Sequence, residues 1–409
     1  MQKKGFPMIS LPAFTPKDPV CAVACADYQE EGLKAALSLL LRPFDKTLAL
    51  IKQGMTVVIK ANLVSAMKPE EAATTHPLLI KTLCELLLDM GATVLLGDSP
   101  GGLYNAAFVE RVYRVSGMTE IEREGVSLNR DFGQKEALYP EGKVLKSFSY
   151  TSYLDKADLI INVCKLKSHG MMAMSCAAKN MFGVIPGVIK PEYHYRFPKH
   201  EDFADMILDL DDYFHPVLCI ADAVVGMEGN GPTAGTPRQI GCLLASTSPH
   251  CLDLAAAAIL GLKKENVPTL EAAYRRGYIP EDAEKLGVVG DLAPFFLSDF
   301  QNMPLQASVE FAQSRKNPLL RFFGTLAAKI LRTRPVLHKK LCVGCGVCAN
   351  ICPAKAIIIE NGKAKIERGL CIRCFCCQEF CPKSAMKVER TVIARLFHHE
   401  KKAKKHKKD

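Results

Sequence analysis

Two runs of the form C-x2-C-x2-C-x3-C-P stand one after the other near the carboxyl end of this 409-residue chain. The first is Cys342, Cys345, Cys348, Cys352, Pro353, and the second is Cys371, Cys374, Cys377, Cys381, Pro382. Three thiolates at this spacing can wrap a loop around one face of an iron-sulfur cube, while the fourth, leading into a helix, reaches across to another cube. The spacing therefore predicts two 4Fe-4S clusters with crossed ligand sets. Cys342, Cys345, Cys348 and Cys381 would hold one, and Cys371, Cys374, Cys377 and Cys352 the other. A disulfide staple or a structural zinc site is the rival use of so many cysteines. Disulfides need an oxidising compartment, and zinc takes paired C-x2-C units without a repeated C-P ending.

The residues between the thiols agree with cluster binding. Gly344 and Gly346 let the backbone turn closely around inorganic sulfide and direct N–H groups at it. Residues 356–366 read as a strand, an Asn361-Gly362 turn and a return strand, a hairpin that would keep water from the clusters. Cys376 is one cysteine more than the pattern needs. It is either a spare buried thiol or an alternative ligand should Cys377 be lost, and packing favours the spare thiol. Over residues 338–390 the chain resembles bacterial two-cluster ferredoxins, small α+β domains.

Composition divides the remainder. The formal charge of +10 is unevenly spread. Residues 311–340 carry eight Lys/Arg and no acid, residues 390–409 carry eight against Glu400 and Asp409, and residues 341–389 add +3, which leaves −7 for residues 1–310. Basic stretches of this kind meet something negative: an acidic redox partner protein, an anionic membrane surface or nucleic acid. No groove-reading motif accompanies them, so nucleic acid is not expected. The tail reads as a solvated disordered end. Residues 317–334 are apolar at helical spacing with basic residues between, which suits a connector packed on the large domain or a helix lying on a membrane. No apolar run is long enough to span a bilayer, and Pro7, Pro12 and Pro16 interrupt the amino terminus as an export signal. A cytoplasmic location is the expectation. The domain reading is 1–310, a connector 311–337, the cluster domain 338–390 and a tail 391–409.

Residues 1–310 alternate short β runs with helical segments: 19–25, helix 30–41, 56–60, helix 77–90, 93–97, then 158–164, helix 203–213, 217–221, 240–245 and helix 249–260. Alternation predicts an α/β fold, a mainly parallel sheet with helices on both faces. Residues 121–146 are more polar and read as an insertion or antiparallel edge. In such a sheet the ligand sits beyond the carboxyl ends of the strands. Five strands here run into polar residues: Lys60 and Asn62 with Thr74-Thr75-His76-Pro77; Asp98; Lys165, Lys167, Ser168 and His169; Asp222 with Glu228 and Asn230; and Ser246-Thr247-Ser248. Taken singly, Thr75 caps a helix, Asp98 closes a turn and His76 is structural. Taken together they predict a pocket in which Lys60, Lys165 and Lys167, with Lys179 and Lys190 as further cations, hold an anionic or carbonyl-bearing substrate. His76 and His169 would move protons, and Asp98, Asp222 and Glu228 supply carboxylates. The glycine-rich pieces 97–102 and 226–235 match neither dinucleotide nor P-loop patterns.

The series KANL, TTHP, GDSPGG, NVCKLKSH, AAKNMFGVIPG, Asp222 with GMEGNGP, and LASTSP resembles domain of unknown function 362, in the form that carries a carboxyl-terminal two-cluster ferredoxin. The resemblance covers residues 20–390. It implies the α/β domain and iron-sulfur binding, and it brings no reaction. The expectation is an iron-sulfur electron-transfer protein: a ferredoxin-type oxidoreductase acting on a small-molecule substrate, or a carrier whose α/β domain only docks a redox partner.

Overall fold

Runs such as Thr-Val-Val-Ile-Lys over Thr56–Lys60 become buried parallel strands because β-branched side chains pack well on a pleat covered on both sides. The computed structural model describes residues 11–303 and 333–389. The chain forms two compact units divided after Gln301. The first holds β1 (Val20–Ala24), α1 (Glu30–Leu41), α2 (Asp45–Leu48), β2 (Thr56–Lys60), α3 (Pro77–Asp89), β3 (Thr93–Gly97), α4 (Ala106–Val115), β4 (Val126–Leu128), β5 (Gln134–Leu138) and β6 (Ser147–Thr151). It continues with β7 (Leu159–His169), β8 (Ala173–Ser175), α5 (Ala177–Asn180), α6 (Lys190–Arg196), α7 (His200–Phe214), β9 (Leu218–Glu228), β10 (Thr236–Ser246), α8 (Pro249–Ile259), α9 (Pro268–Arg275) and β11 (Val288–Val289).

The sheet runs in the order β11-β1-β10-β9-β7-β2-β3-β4, with β8 paired to β7. Strands β9, β7, β2, β3 and β4 are mutually parallel, and β10 is antiparallel to both its neighbours. The expected mainly parallel α/β architecture is therefore present. Period-two alternation sorts the side chains between two layers. Val57 and Ile59 of β2 and Leu159, Ile161 and Val163 of β7 join a core with α1, α3 and α4, while Val58 and Lys60 point the other way. On that other side α5, α7, α8 and α9 pack against one another.

Three readings change. β10 is antiparallel, so Ser246 pairs with Cys219 at the start of β9 and lies at the opposite edge from the ends of β2, β3, β7 and β9. Ser246-Thr247-Ser248 is not part of the predicted pocket; instead the Ser248 hydroxyl caps α8 by accepting from Cys251 N–H. Strands β7 and β9 are each 11 residues long, so Lys165 to His169 and Asp222 to Glu228 stand on strands and not in loops. Residues 121–146 contain β4, which joins the main sheet in parallel, and β5, which pairs with β6 in a separate ladder.

In the second unit Arg334–Leu337, grouped above with the connector, is a strand antiparallel to Met386–Glu389. The hairpin forms as expected between Ile357–Glu360 and Lys363–Ile366. Its turn residues Asn361 and Gly362 both have positive φ, 50° and 67°, as a tight hairpin turn requires. Short helices Val347–Ile351 and Cys376–Glu379 follow the two cysteine loops. The predicted connector helix, apart from its last two residues, and the basic tail lie outside the described residues.

Candidate functional site

Four parallel strands end on one edge of the sheet, and their polar residues meet there below the surface. Lys60 closes β2 opposite Gly97 of β3, so the next residue along, Asp98, is within reach. Lys60 Nζ is 2.8 Å from Asp98 Oδ1, and both side chains are buried. Asp98 Oδ2 also accepts Leu63 N–H at 2.7 Å. Burial pulls the Lys60 pKa down, and Asp98 pushes it back up. Lys60 further donates to Ala61 O (2.8 Å) and Asn180 Oδ1 (3.3 Å). Asn180 Oδ1 accepts Asn62 Nδ2 at 2.9 Å, and Asn62 Oδ1 accepts Lys167 Nζ at 2.9 Å. Lys60 and Lys167 are thereby joined through two amides.

A second group lies on β7 and β9. Lys165 and Asp222 are partners across these parallel strands, and Nζ stands 2.9 Å from Oδ2 with both residues at or below 1% exposure. Asp222 Oδ1 accepts the Tyr28 hydroxyl at 2.7 Å, Asp222 Oδ2 accepts His76 N–H at 2.9 Å, and Lys165 Nζ donates to Tyr28 Oη at 3.0 Å. The rings of Tyr28 and His76 stack at 3.6 Å. Both rings are half-buried, so Tyr28 links solvent to the sunken Lys165–Asp222 pair. Burial lowers the Lys165 pKa while Asp222 opposes it. Burial also lowers His76 to about 4, so at neutral pH its ring is uncharged. Nδ1 of that ring accepts Leu78 N–H and caps α3, so the ring proton sits on Nε2, which is a donor.

Of the other predicted residues, Lys167 belongs to this network and the rest stand apart from it. Lys167 Nζ also donates to Ala73 O at 2.6 Å. His169 Nδ1 accepts Met171 and Met172 N–H, and burial holds its pKa well below the ordinary value. Lys190 donates to Ser99 O, and Lys179 sits 5.6 Å over the Phe182 ring. Glu228 accepts Gln301 N–H at 3.0 Å, and Gly229 N–H donates to Gln301 O. Its recorded contact is thus a latch on the chain leaving the unit. Lys60, Asp98, Lys165, Asp222, Lys167 and His76 form one connected network, since Thr75 Oγ1 accepts Asn62 N–H and precedes His76.

Sequence reasoning missed Tyr28, Asn180 and Gly183 as members of this network. Tyr28 follows β1, which runs parallel to β9 and ends at the same edge; a polar aromatic just past the first strand was the available signal. Gly183 carries no side chain for a reason of space. A Cβ there would lie 2.2 Å from Asp98 Oδ1 and 2.4 Å from Lys60 Nζ. Asp253, buried in α8, accepts Ala177 N–H (2.6 Å) and Ala178 N–H (3.2 Å), fixing α5 and hence Asn180; burial raises its pKa to about 7.

In the second unit the two cysteine loops repeat each other's backbone. Gly344 and Gly346 have φ of 69° and 80°, and Arg373 and Phe375, at the same offsets from Cys371, have 61° and 62°. Lys355 and Ser384, each three residues beyond the fourth cysteine of its run, have 50° and 47°. Ala356 N–H donates to Cys352 Sγ and Ala385 N–H to Cys381 Sγ, both at 3.2 Å. A cavity is lined by Cys342, Cys345, Cys348 and Cys381, with Gly344, Gly346, Ile359 and Met386 around them. Burial raises Cys348 to about 11, with Cys381, Cys342 and Cys345 adding to the rise. Cys377 is raised by burial and then by Cys374, Cys371, Cys348 and Cys352. The first three thiols of the first run thus share one cavity with the last thiol of the second, among backbone N–H groups of the kind that suit an inorganic sulfide core. Among the described residues no group of three or more His, Cys, Asp or Glu closes on one ion. Cys376, at 1% exposure, donates its thiol to Cys374, which lowers the Cys374 pKa.

Comparison with known proteins agrees with this division. A model for domain of unknown function 362 matches residues 57–258, and one for a 4Fe-4S dicluster domain matches residues 334–382. A thylakoid-associated protein of Synechocystis, sll1697, is 30% identical over 264 residues, 63% of this chain and 79% of that protein. Among solved structures, the lactate racemase apoprotein from Thermoanaerobacterium thermosaccharolyticum aligns with a TM-score of 0.39 at 12% identity, over 62% of this chain and 59% of that one. A Thermotoga maritima protein aligns at 0.32 and 14% identity, over 63% and 59%. The chain thus spans less than two thirds of these structural neighbours. Among the described residues no helix is long and apolar enough to cross a membrane.

Proposed function

The chain belongs to the domain of unknown function 362 family and carries a 4Fe-4S dicluster domain with an iron-sulfur electron-transfer role, and from this premise we propose that it is an oxidoreductase in which two 4Fe-4S clusters serve the α/β unit. The observation that supports the cluster half is the repeated loop backbone, with Cys342, Cys345, Cys348 and Cys381 around one cavity. The clusters supply electrons one at a time. The α/β unit takes a small anionic or carbonyl-bearing molecule, and its own residues manage protons. Tyr28, bonded to both Asp222 and Lys165, can pass a proton between solvent and the buried ammonium. His76, uncharged and stacked on Tyr28, keeps its ring proton on Nε2 and can donate a hydrogen bond from there to a ligand. Lys60 and Asp98 set a fixed dipole at the neighbouring strand end, where charge developing on a carbonyl oxygen would be met by an ammonium.

The test is metal content and electron paramagnetic resonance of the anaerobically purified chain. About eight iron atoms per chain are expected, and Cys381→Ala should leave about four, with the signal of the cluster held by Cys371, Cys374, Cys377 and Cys352 retained. Loss of both clusters in Cys352→Ala and none in Cys381→Ala would contradict the crossed sets. Reduced chain that consumes no carbonyl or anionic acceptor, while passing electrons to a partner protein, would favour the carrier reading.

Peripheral attachment to an anionic membrane is a second reading for location, favoured over a purely cytoplasmic one by the name of the thylakoid-associated relative and by the eight Lys/Arg in each of 311–340 and 390–409. Cosedimentation with vesicles containing anionic lipid, lost at high salt, decides it.

A further inference from the structure

The hairpin of the second unit sits on the first cysteine loop and brings a cation to it. A Cβ on Gly344, between Cys342 and Cys345, would lie 2.4 Å from Gly362 O, so the loop passes the hairpin turn only as glycine. Lys363, the next residue, reaches back to the loop, and its Nζ donates to Cys342 O at 2.5 Å in a half-buried contact. Ala364, one further on, lines the same cavity as Cys342, Cys345, Cys348 and Cys381, with Ile359 of the opposite strand. Three successive hairpin residues thus meet one cysteine loop and the cavity beneath it.

A surface lysine on a hairpin ordinarily finds an acid across the turn. Glu360 is the residue opposite Lys363, yet Glu360 pairs with Lys365 at 2.8 Å. Among the described residues no carboxylate forms an ion pair with Lys363, so its charge faces the cysteine loop without an acid to offset it. An iron-sulfur core held by four thiolates is an anion, and reduction adds a further negative charge. A fixed ammonium beside it therefore stabilises the reduced form more than the oxidised one and raises the potential. Cys342 O and Sγ belong to one residue, so bond lengths alone keep Nζ within about 8 Å of that sulfur. At an effective dielectric constant of about 20 a unit charge at about 8 Å shifts a one-electron equilibrium about thirtyfold, and the partial exposure of Lys363 reduces this to about tenfold.

We propose that Lys363 is a positioning residue for the cluster held by Cys342, Cys345, Cys348 and Cys381: it ties the first loop to the hairpin and raises that cluster's reduction potential. The role rests on the reading that these four thiols hold a 4Fe-4S cluster. Redox titration of the cluster-loaded full chain, followed by electron paramagnetic resonance, tests it, and the step belonging to this cluster is the one absent from Cys381→Ala. Lys363→Gln keeps a donor for Cys342 O and loses the charge. Its step should move to lower potential by about tenfold in the reduction equilibrium, about 59 mV for one electron. Lys363→Arg keeps the charge and should titrate with wild type, and the difference between the two variants should shrink in high salt. A Lys363→Gln step that coincides with wild type, or Gln and Arg variants that shift alike, would overturn the role. Loss of iron from Lys363→Gln alone would also overturn it, by making the lysine a requirement for assembly. Iron and sulfide counts on each sample keep the two readings apart: a wild-type chain without them sinks both, whereas loaded chains with an unmoved step sink only the role of Lys363.

Discussion

Replacing Gly183 by alanine tests whether the buried Lys60–Asp98 pair is as closely enclosed as the structure has it. The backbone there is not in the left-handed region, so the added methyl acts through contact alone. That methyl would lie 2.2 Å from Asp98 Oδ1 and 2.4 Å from Lys60 Nζ. Neither partner has an easy retreat. Lys60 is 0% exposed, and Asp98 is tied by Leu63 N–H at 2.7 Å. Overpacking by one methyl costs about 1–3 kcal/mol if the pair shifts as a unit. Driving the charges apart leaves each uncompensated and costs about 3–5 kcal/mol. The chain has no tryptophan, so urea unfolding of the α/β unit is followed by far-UV circular dichroism. The midpoint should fall by the corresponding amount at unchanged slope. Gly32→Ala is the control: it lies inside α1 with nothing within 4 Å of the new methyl, and it should stabilise by about 0.5–1 kcal/mol. A Gly183→Ala midpoint at or above wild type would refute the enclosure and, with it, the reason for glycine there.

Asp222→Asn removes the charge that Lys165, Tyr28 and His76 N–H share, and it should cost about 3–5 kcal/mol by leaving a buried ammonium unpaired. Lys165→Met added to that variant should recover a large part of it, and a double-mutant cycle with no coupling would contradict the pairing. Asp253, raised to about 7 by burial, holds a proton in the folded chain that the unfolded chain releases near pH 4. Its contribution is therefore fully present below pH 4 and is lost as pH rises towards 7, at about 1.4 kcal/mol per pH unit. Stability of Asp253→Asn relative to wild type should rise with that slope between pH 4.5 and 6.5; a flat difference would show the carboxyl ionised throughout.

Much of this protein is legible in local chemistry. The doubled cysteine run announces a 4Fe-4S dicluster domain because its spacing suits loops that wrap an inorganic core, and the Asn361-Gly362 turn announces its hairpin because both residues tolerate positive φ. The helix 30–41 and strands 56–60 and 93–97 follow from periodicity and end where the sequence places them. What periodicity could not carry was direction and partnership. A short apolar run looks the same in either orientation, so only its neighbours make β10 antiparallel and send Ser246 to the far edge. The lysines read as anion binders meet carboxylates from distant parts of the chain, Lys165 with Asp222 and Lys60 with Asp98. Tyr28 reaches Asp222 across 194 positions. Residue type says that a buried charge needs a partner; only the packed sheet says which one, because that depends on register and crossover and not on sequence spacing.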